Sequence, residues 1–79
     1  MRVIRNDKFL PIVAEGGELY HYRSQVAVEV EGVVFNAERC MSVKEYESTY
    51  PALRDFIHNA LRNDIMVAIR KKLFEGVES

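Results

Sequence analysis

Residues 19–30 alternate between apolar and polar positions. Tyr20, Tyr22, Val26, Val28 and Val30, with Ser24 among them, fall on one side; His21, Arg23, Gln25, Ala27 and Glu29 fall on the other. A period of two predicts a half-buried β-strand about 40 Å long. Turn signals bound it at both ends. Gly16-Gly17 can supply two residues with φ > 0 for a tight primed turn. Glu31-Gly32 is the weaker signal, because only the glycine adopts that conformation cheaply. If both loops hold two residues, Val30 pairs with Val33, Val13 with Tyr20, and Phe9 with Ser24. Opposite residues share a face, so Val33, Phe35, Ala37, Phe9, Pro11 and Val13 join the apolar side of the central strand. Pro11 has no N–H to donate, which makes residues 8–14 an edge strand. Residues 2–5 either form a fourth strand or continue residues 8–14 past a bulge at Asn6-Asp7.

Near Met41 the pattern turns helical. Ser42-Val43-Lys44-Glu45 fits a capping box, with Met41 and Tyr46 at the flanking staple positions. Tyr50 precedes Pro51 and is pushed out of the α region, so the first helix is short. Pro51 suits the first turn of a second helix, which can run to about Glu75 with Gly76 as its stop. On that helix Leu53, Ile57, Ala60, Leu61 and Ala68 form one apolar stripe, flanked by Phe56 and Val67, expected to face the sheet. The expected fold is α+β. A three- or four-stranded antiparallel meander (residues 1–40) precedes a short helix and a long C-terminal helix (residues 42–75) packed on one sheet face. One domain spans residues 1–79.

Two apolar surfaces exceed what this core can cover. Leu61, Ile65, Ile69 and Leu73 step by four around the long helix, and Met66 lies on its far side. Ile65, Met66, Ile69 and Leu73 therefore form a protein interface, expected to be a twofold homodimer contact, unless the first helix covers them through Val43, Tyr46 and Tyr50. The second sheet face carries Leu10, Ile12, Ala14, Leu19 and Val34 among His21, Arg23 and Glu29, with Ala14 opposite Leu19 and Ile12 opposite His21. Leu10, Ile12 and Leu19 make this a second candidate interface unless residues 1–5 or the C-terminal tail fold over it.

Composition removes several classes of function. Apolar residues are 48% and charged residues 29% of 79, a globular balance. Eleven Lys and Arg against twelve Asp and Glu give a net charge of −1. That rules out neither local basic patches nor acidic ones, but it removes any bulk electrostatic case for nucleic acid or for an acidic mimic of it. Locally, Arg54, His58 and Arg62 form a row at i, i+4, i+8, and Arg70, Lys71 and Lys72 follow. They read as a solvated helix face or, alternatively, as a phosphate-contacting stripe. A single cysteine, Cys40, cannot form an internal disulfide, so a reducing, cytoplasmic setting is expected. No apolar run reaches the roughly 20 residues of a membrane span. Met1 to Arg5 lack a signal-peptide core, and no membrane partner is expected.

No residues assemble into a recognisable catalytic, metal or cofactor motif. His21 and His58 are isolated. Asp64 sits in the apolar stripe with Lys71 two turns on, and is expected to pair with Arg39 or to reach water at the sheet edge. The strand–strand–strand–helix–helix order loosely resembles several small nucleic-acid-binding domains and small inhibitor proteins of mobile elements, with no motif that carries residue roles across. The expected function is a non-enzymatic protein-binding or regulatory module, without cofactor, acting on an unidentified protein partner. Its small size suggests a phage- or plasmid-encoded inhibitor or accessory protein. The alternative is a nucleic-acid-binding domain using the basic helix row.

Overall fold

A computed structural model describes residues 1–78, with side chains through Leu73. Strands β1 (Arg2–Val13), β2 (Leu19–Val30) and β3 (Val33–Ser42) form one antiparallel sheet in the order β1-β2-β3. Helices α1 (Val43–Ser48) and α2 (Pro51–Glu78) follow. Residues 2–5 belong to β1 and form no separate fourth strand. The long helix continues past Gly76, which is not a stop.

The two hairpins reverse their expected ranking. Glu31-Gly32 closes the cleaner one. Both residues take φ > 0, at 48° and 82°, and the register runs unbroken from Val30↔Val33 to His21↔Ser42. This is the two-residue primed turn, with Glu31 accepting the left-handed conformation. The Gly-Gly hairpin instead uses a three-residue loop. Gly17 N–H donates to the Ala14 carbonyl and Ala14 N–H to the Glu18 carbonyl, both at 2.8 Å, and of the two glycines only Gly17 (φ 85°) is left-handed. A turn followed by one left-handed residue inserts a bulge. Val13 therefore faces Leu19 rather than Tyr20, and Ala14 faces Glu18 across the loop instead of Leu19. Pro11↔Tyr22 and Ile12↔His21 keep the expected pairing.

β1 is one strand interrupted by register shifts, as its possible continuation requires. The shifts fall between Val3 and Arg5, between Asp7 and Leu10, and near the turn, rather than at Asn6-Asp7. The middle one has a visible cause. Phe9 takes φ 45° and turns its ring into the core, leaving its N–H out of the ladder. That N–H donates to Ser24 Oγ at 2.9 Å, and Ser24 is fully buried. A serine within the apolar row of β2 thus satisfies a donor that would otherwise be orphaned.

The Ser42 hydroxyl caps α1, accepting the Glu45 N–H at 3.1 Å. It also donates to the Glu45 carboxylate at 3.1 Å. The carboxylate thus reaches back to the capping hydroxyl rather than to the Ser42 backbone N–H that a full capping box would engage. The Tyr50 carbonyl accepts N–H groups of Leu53 and Arg54 and starts α2, with Pro51 in the first turn.

The core lies between α2 and the facing side of the sheet. Val26 and Val28 meet Leu61 and Ile65, with Val30, Phe35, Ala37 and Ile69 packed around them. This corrects the expected stripe. Leu53, Phe56 and Val67 are 49%, 70% and 62% exposed, while Ile65, expected at a free interface, is 3% exposed. α2 presents Arg54, His58, Leu61, Ile65 and Ile69 to the sheet. Their branched side chains fill the space better than Ala60 and Ala68 would, and the two polar members find partners, described next. Residues 2–5 run within β1 and both helices pack on the opposite face, which leaves Leu10 and Leu19 of the second face exposed.

Candidate interaction surfaces

Tyr46 joins three elements. Its ring stacks on Tyr22 of β2 at 3.7 Å and 12°, and meets Phe9 of β1 edge-on at 6.2 Å. The Arg54 guanidinium lies 4.0 Å from the ring centroid on α2. Next to it Lys8 Nζ donates to Asp55 Oδ1 at 2.7 Å. Together Lys8, Phe9, Tyr46, Pro51, Arg54 and Asp55 line a shallow cavity of about 220 Å³. One turn along α2, His58 Nε2 lies 2.7 Å from Asn6 Oδ1 of β1, and the histidine is 5% exposed. The neutral imidazole with its proton on Nε2 donates to that oxygen. His58 Nδ1 and Arg54 Nε are buried with no hydrogen-bond partner among the described residues.

These contacts shift two pKa values. Burial pushes the His58 pKa below its ordinary value, helped by the charges of Lys8 and Arg62, against a smaller pull from Asp55 and Asp7. The hydrogen bond from Lys8, and then its charge, hold the Asp55 carboxyl below its ordinary value. The cluster pins the first half of α2 to β1 and turns Arg54 and His58 inward. The expected solvated row of Arg54, His58 and Arg62 is therefore not presented as a unit. Arg62, Arg70, Lys71 and Lys72 remain exposed.

The expected protein-interface residues separate. Ile65 is in the core and Ile69 packs against it half-buried, while Met66 and Leu73 stay exposed. Met1, Val3, Val26, Val28, Arg62, Ile65 and Met66 line an apolar groove of about 210 Å³ between the start of β1 and α2. On the second sheet face Leu10 and Leu19 are exposed and Ile12 is half-buried. Asp64 is exposed, with neither Arg39 nor any other described residue as an ion-pair partner. Cys40 is also exposed, at the free side of β3.

Turning α2 inward leaves an unforeseen surface. Asp55 and Met66 turn toward β1. By helical spacing, Leu53, Ile57, Ala60 and Ala68 fall on the opposite flank, with Phe56 and Val67 at its outer corner; Leu53, Phe56, Val67 and Ala68 are exposed, and Ile57 and Ala60 are half-buried. The stripe assigned to the core thus becomes the lateral flank of α2. Lys8 and Asp55, which contribute to this rotation, were not singled out from sequence, and Asn6 was read only as a bulge position. The available signal was the row of Arg54 and His58 continuing into Leu61, Ile65 and Ile69.

Among the described residues no group of His, Cys, Asp and Glu could hold a metal ion. No helix among them is long and apolar enough to cross a membrane. Comparison with family models, curated proteins and solved structures finds no match to this chain.

Proposed function

We propose that this protein is a non-enzymatic protein-binding module, acting as a regulator or inhibitor through apolar surface rather than through chemistry. The observation that carries this reading is the exposed apolar row Leu53, Phe56, Val67 and Ala68 on α2, in a fold whose strand β3 is a sheet edge. Contiguous exposed apolar surface is characteristic of an interaction site. An exposed single cysteine suits a reducing, cytoplasmic setting. The test uses the protein as bait in extracts of its native host, beside Leu53→Asp/Phe56→Asp. Both positions are exposed, so the variant keeps the fold. Proteins captured by the unmodified chain and lost from the variant support the reading. Identical captured sets overturn it.

A second reading, nucleic-acid binding, draws on Arg62, Arg70, Lys71 and Lys72, which stay exposed. It predicts an affinity for duplex DNA or RNA that falls steeply with salt. No binding at about 50 mM salt, where non-specific affinity is strong, would remove it.

A further inference from the structure

We propose that the free edge of β3 pairs with the β3 edge of a second copy, joining two sheets into one antiparallel sheet with the α2 helices side by side on one face. This rests on the protein-binding reading and gives its surface an occupant.

The backbone pattern supplies the first argument. Val30 and Val33 close a two-residue hairpin, and the pair that closes such a loop is a hydrogen-bonded one. Odd-numbered residues of β3 therefore aim their backbone groups at β2, and Val34, Asn36, Glu38 and Cys40 aim theirs outward. All four are exposed. The strand has no register shift, no proline and only two charges, Glu38 and Arg39. Such an edge is a template for strand pairing.

Charge and symmetry select the register. A twofold axis at Ala37 sets Asn36 opposite the second copy's Glu38, Phe35 opposite its Arg39, and Val34 opposite its Cys40. Residues 33–41 pair along both strands with no like charges facing. An axis at Glu38 would oppose two glutamates instead, and an axis at Asn36 would shorten the pairing to residues 33–39 before it meets the Glu31-Gly32 turn. The same axis brings the α2 flanks together antiparallel, and Ala60 and Ala68 leave room for close approach. Both copies contribute the same patch, as a twofold contact requires.

Area and shape agree. The chain exposes 6023 Å², against about 4,900 Å² for a compact monomer of its mass. The excess of about 1,100 Å² exceeds the roughly 800 Å² that each partner buries in a standard interface. The radius of gyration is 15.2 Å, against about 12 Å for a compact chain of this length.

The test is disulfide trapping with Val34→Cys and native Cys40. In the proposed register positions 34 and 40 of opposite copies stand about 5.5 Å apart at Cα, within disulfide reach. Within one copy they lie about 20 Å apart along the strand. Mild oxidation should convert most of the variant to a covalent dimer. Native Cys40 alone, and Val34→Cys/Cys40→Ser, should stay uncrosslinked. Adding Glu38→Pro, which removes an outward N–H at an exposed residue with no side-chain hydrogen bond or ion pair, should abolish trapping while circular dichroism keeps its folded signature. Sedimentation equilibrium of the unmodified chain should give a dimer at about 100 μM. A clean monomer there overturns self-pairing, while capture of a different protein by the α2 flank would still stand. A dimer that Val34→Cys fails to trap overturns the β3 register.

Discussion

The two outer strands border the same central strand and treat their edges in opposite ways. β1 breaks its ladder at three places, carries Pro11, and sets Arg2, Arg5, Asp7 and Lys8 along its length. Its irregularities turn side chains toward α2: Phe9 into the core, Lys8 onto Asp55 and Asn6 onto His58. β3 is regular from Val33 to Ser42, and among the described residues it meets α2 through its apolar row, Phe35 and Ala37. Bulges, proline and charge are the usual means of blunting an edge. The irregular strand is therefore the protected one, fastened to its own helix. The regular strand is left able to pair.

The contrast would break most visibly at Phe9. Phe9→Ala removes a buried ring and the anchor of the central bulge, so it should cost about 3–5 kcal/mol in chemical denaturation. Val34→Ala, on the exposed edge of β3, should change stability by less than about 0.5 kcal/mol. Comparable losses at the two positions would mean that β1 is not the strand fastened inward.

Ser24→Ala probes the same bulge from the central strand. It leaves the Phe9 N–H buried without an acceptor, at a cost of about 1–3 kcal/mol. Amide exchange at Phe9 should accelerate relative to Val26 and Val28. Unchanged protection there would show that the hydroxyl is not the acceptor on which the bulge depends.

Strand order, the β2–β3 register and both helix starts were legible because each rests on a local rule: alternation, a turn dipeptide, a cap, a proline. What escaped was set by contacts between distant residues. The face of α2 depends on Lys8 with Asp55 and Asn6 with His58, pairs separated by some fifty positions. Counting Arg54 and His58 as solvent-facing placed the apolar stripe on Leu53 and Ala60 and sent Ile65 to a free surface. Ser24 was visible in an apolar row, but its partner appears only once Phe9 leaves the ladder. The candidate surface was legible to the same degree. Unburied apolar residues on α2 were expected, and their identities shifted when the helix turned.

Glu31 sharpens the comparison from the β3 side. Its φ of 48° is left-handed, which disfavours most side chains. Asparagine tolerates that conformation, so Glu31→Asn should raise stability by about 0.5–1 kcal/mol and leave the β2–β3 register intact. A loss of stability would mean that the Glu31 side chain contributes something its backbone conformation conceals.

The smallest effect is a pH dependence confined to the β1 side of the molecule. Burial holds the His58 pKa below its ordinary 6.5. The unfolded chain then takes up a proton more readily than the folded one once the pH falls toward that value, and acid favours unfolding. The thermal midpoint should therefore drop between pH 7.5 and 5.5. Asp55 acts in a separate window. Its carboxyl is held below 3.8 by Lys8, so its contribution is present above that value and is lost as the pH falls through the lower folded pKa. His58→Gln keeps an N–H donor for Asn6 and cannot titrate. It should flatten the curve between pH 7.5 and 5.5 and leave the more acidic fall in place. A midpoint that is level or rises on acidification of the unmodified chain would show that His58 is not held neutral against Asn6. The rotation of α2 would then need another cause.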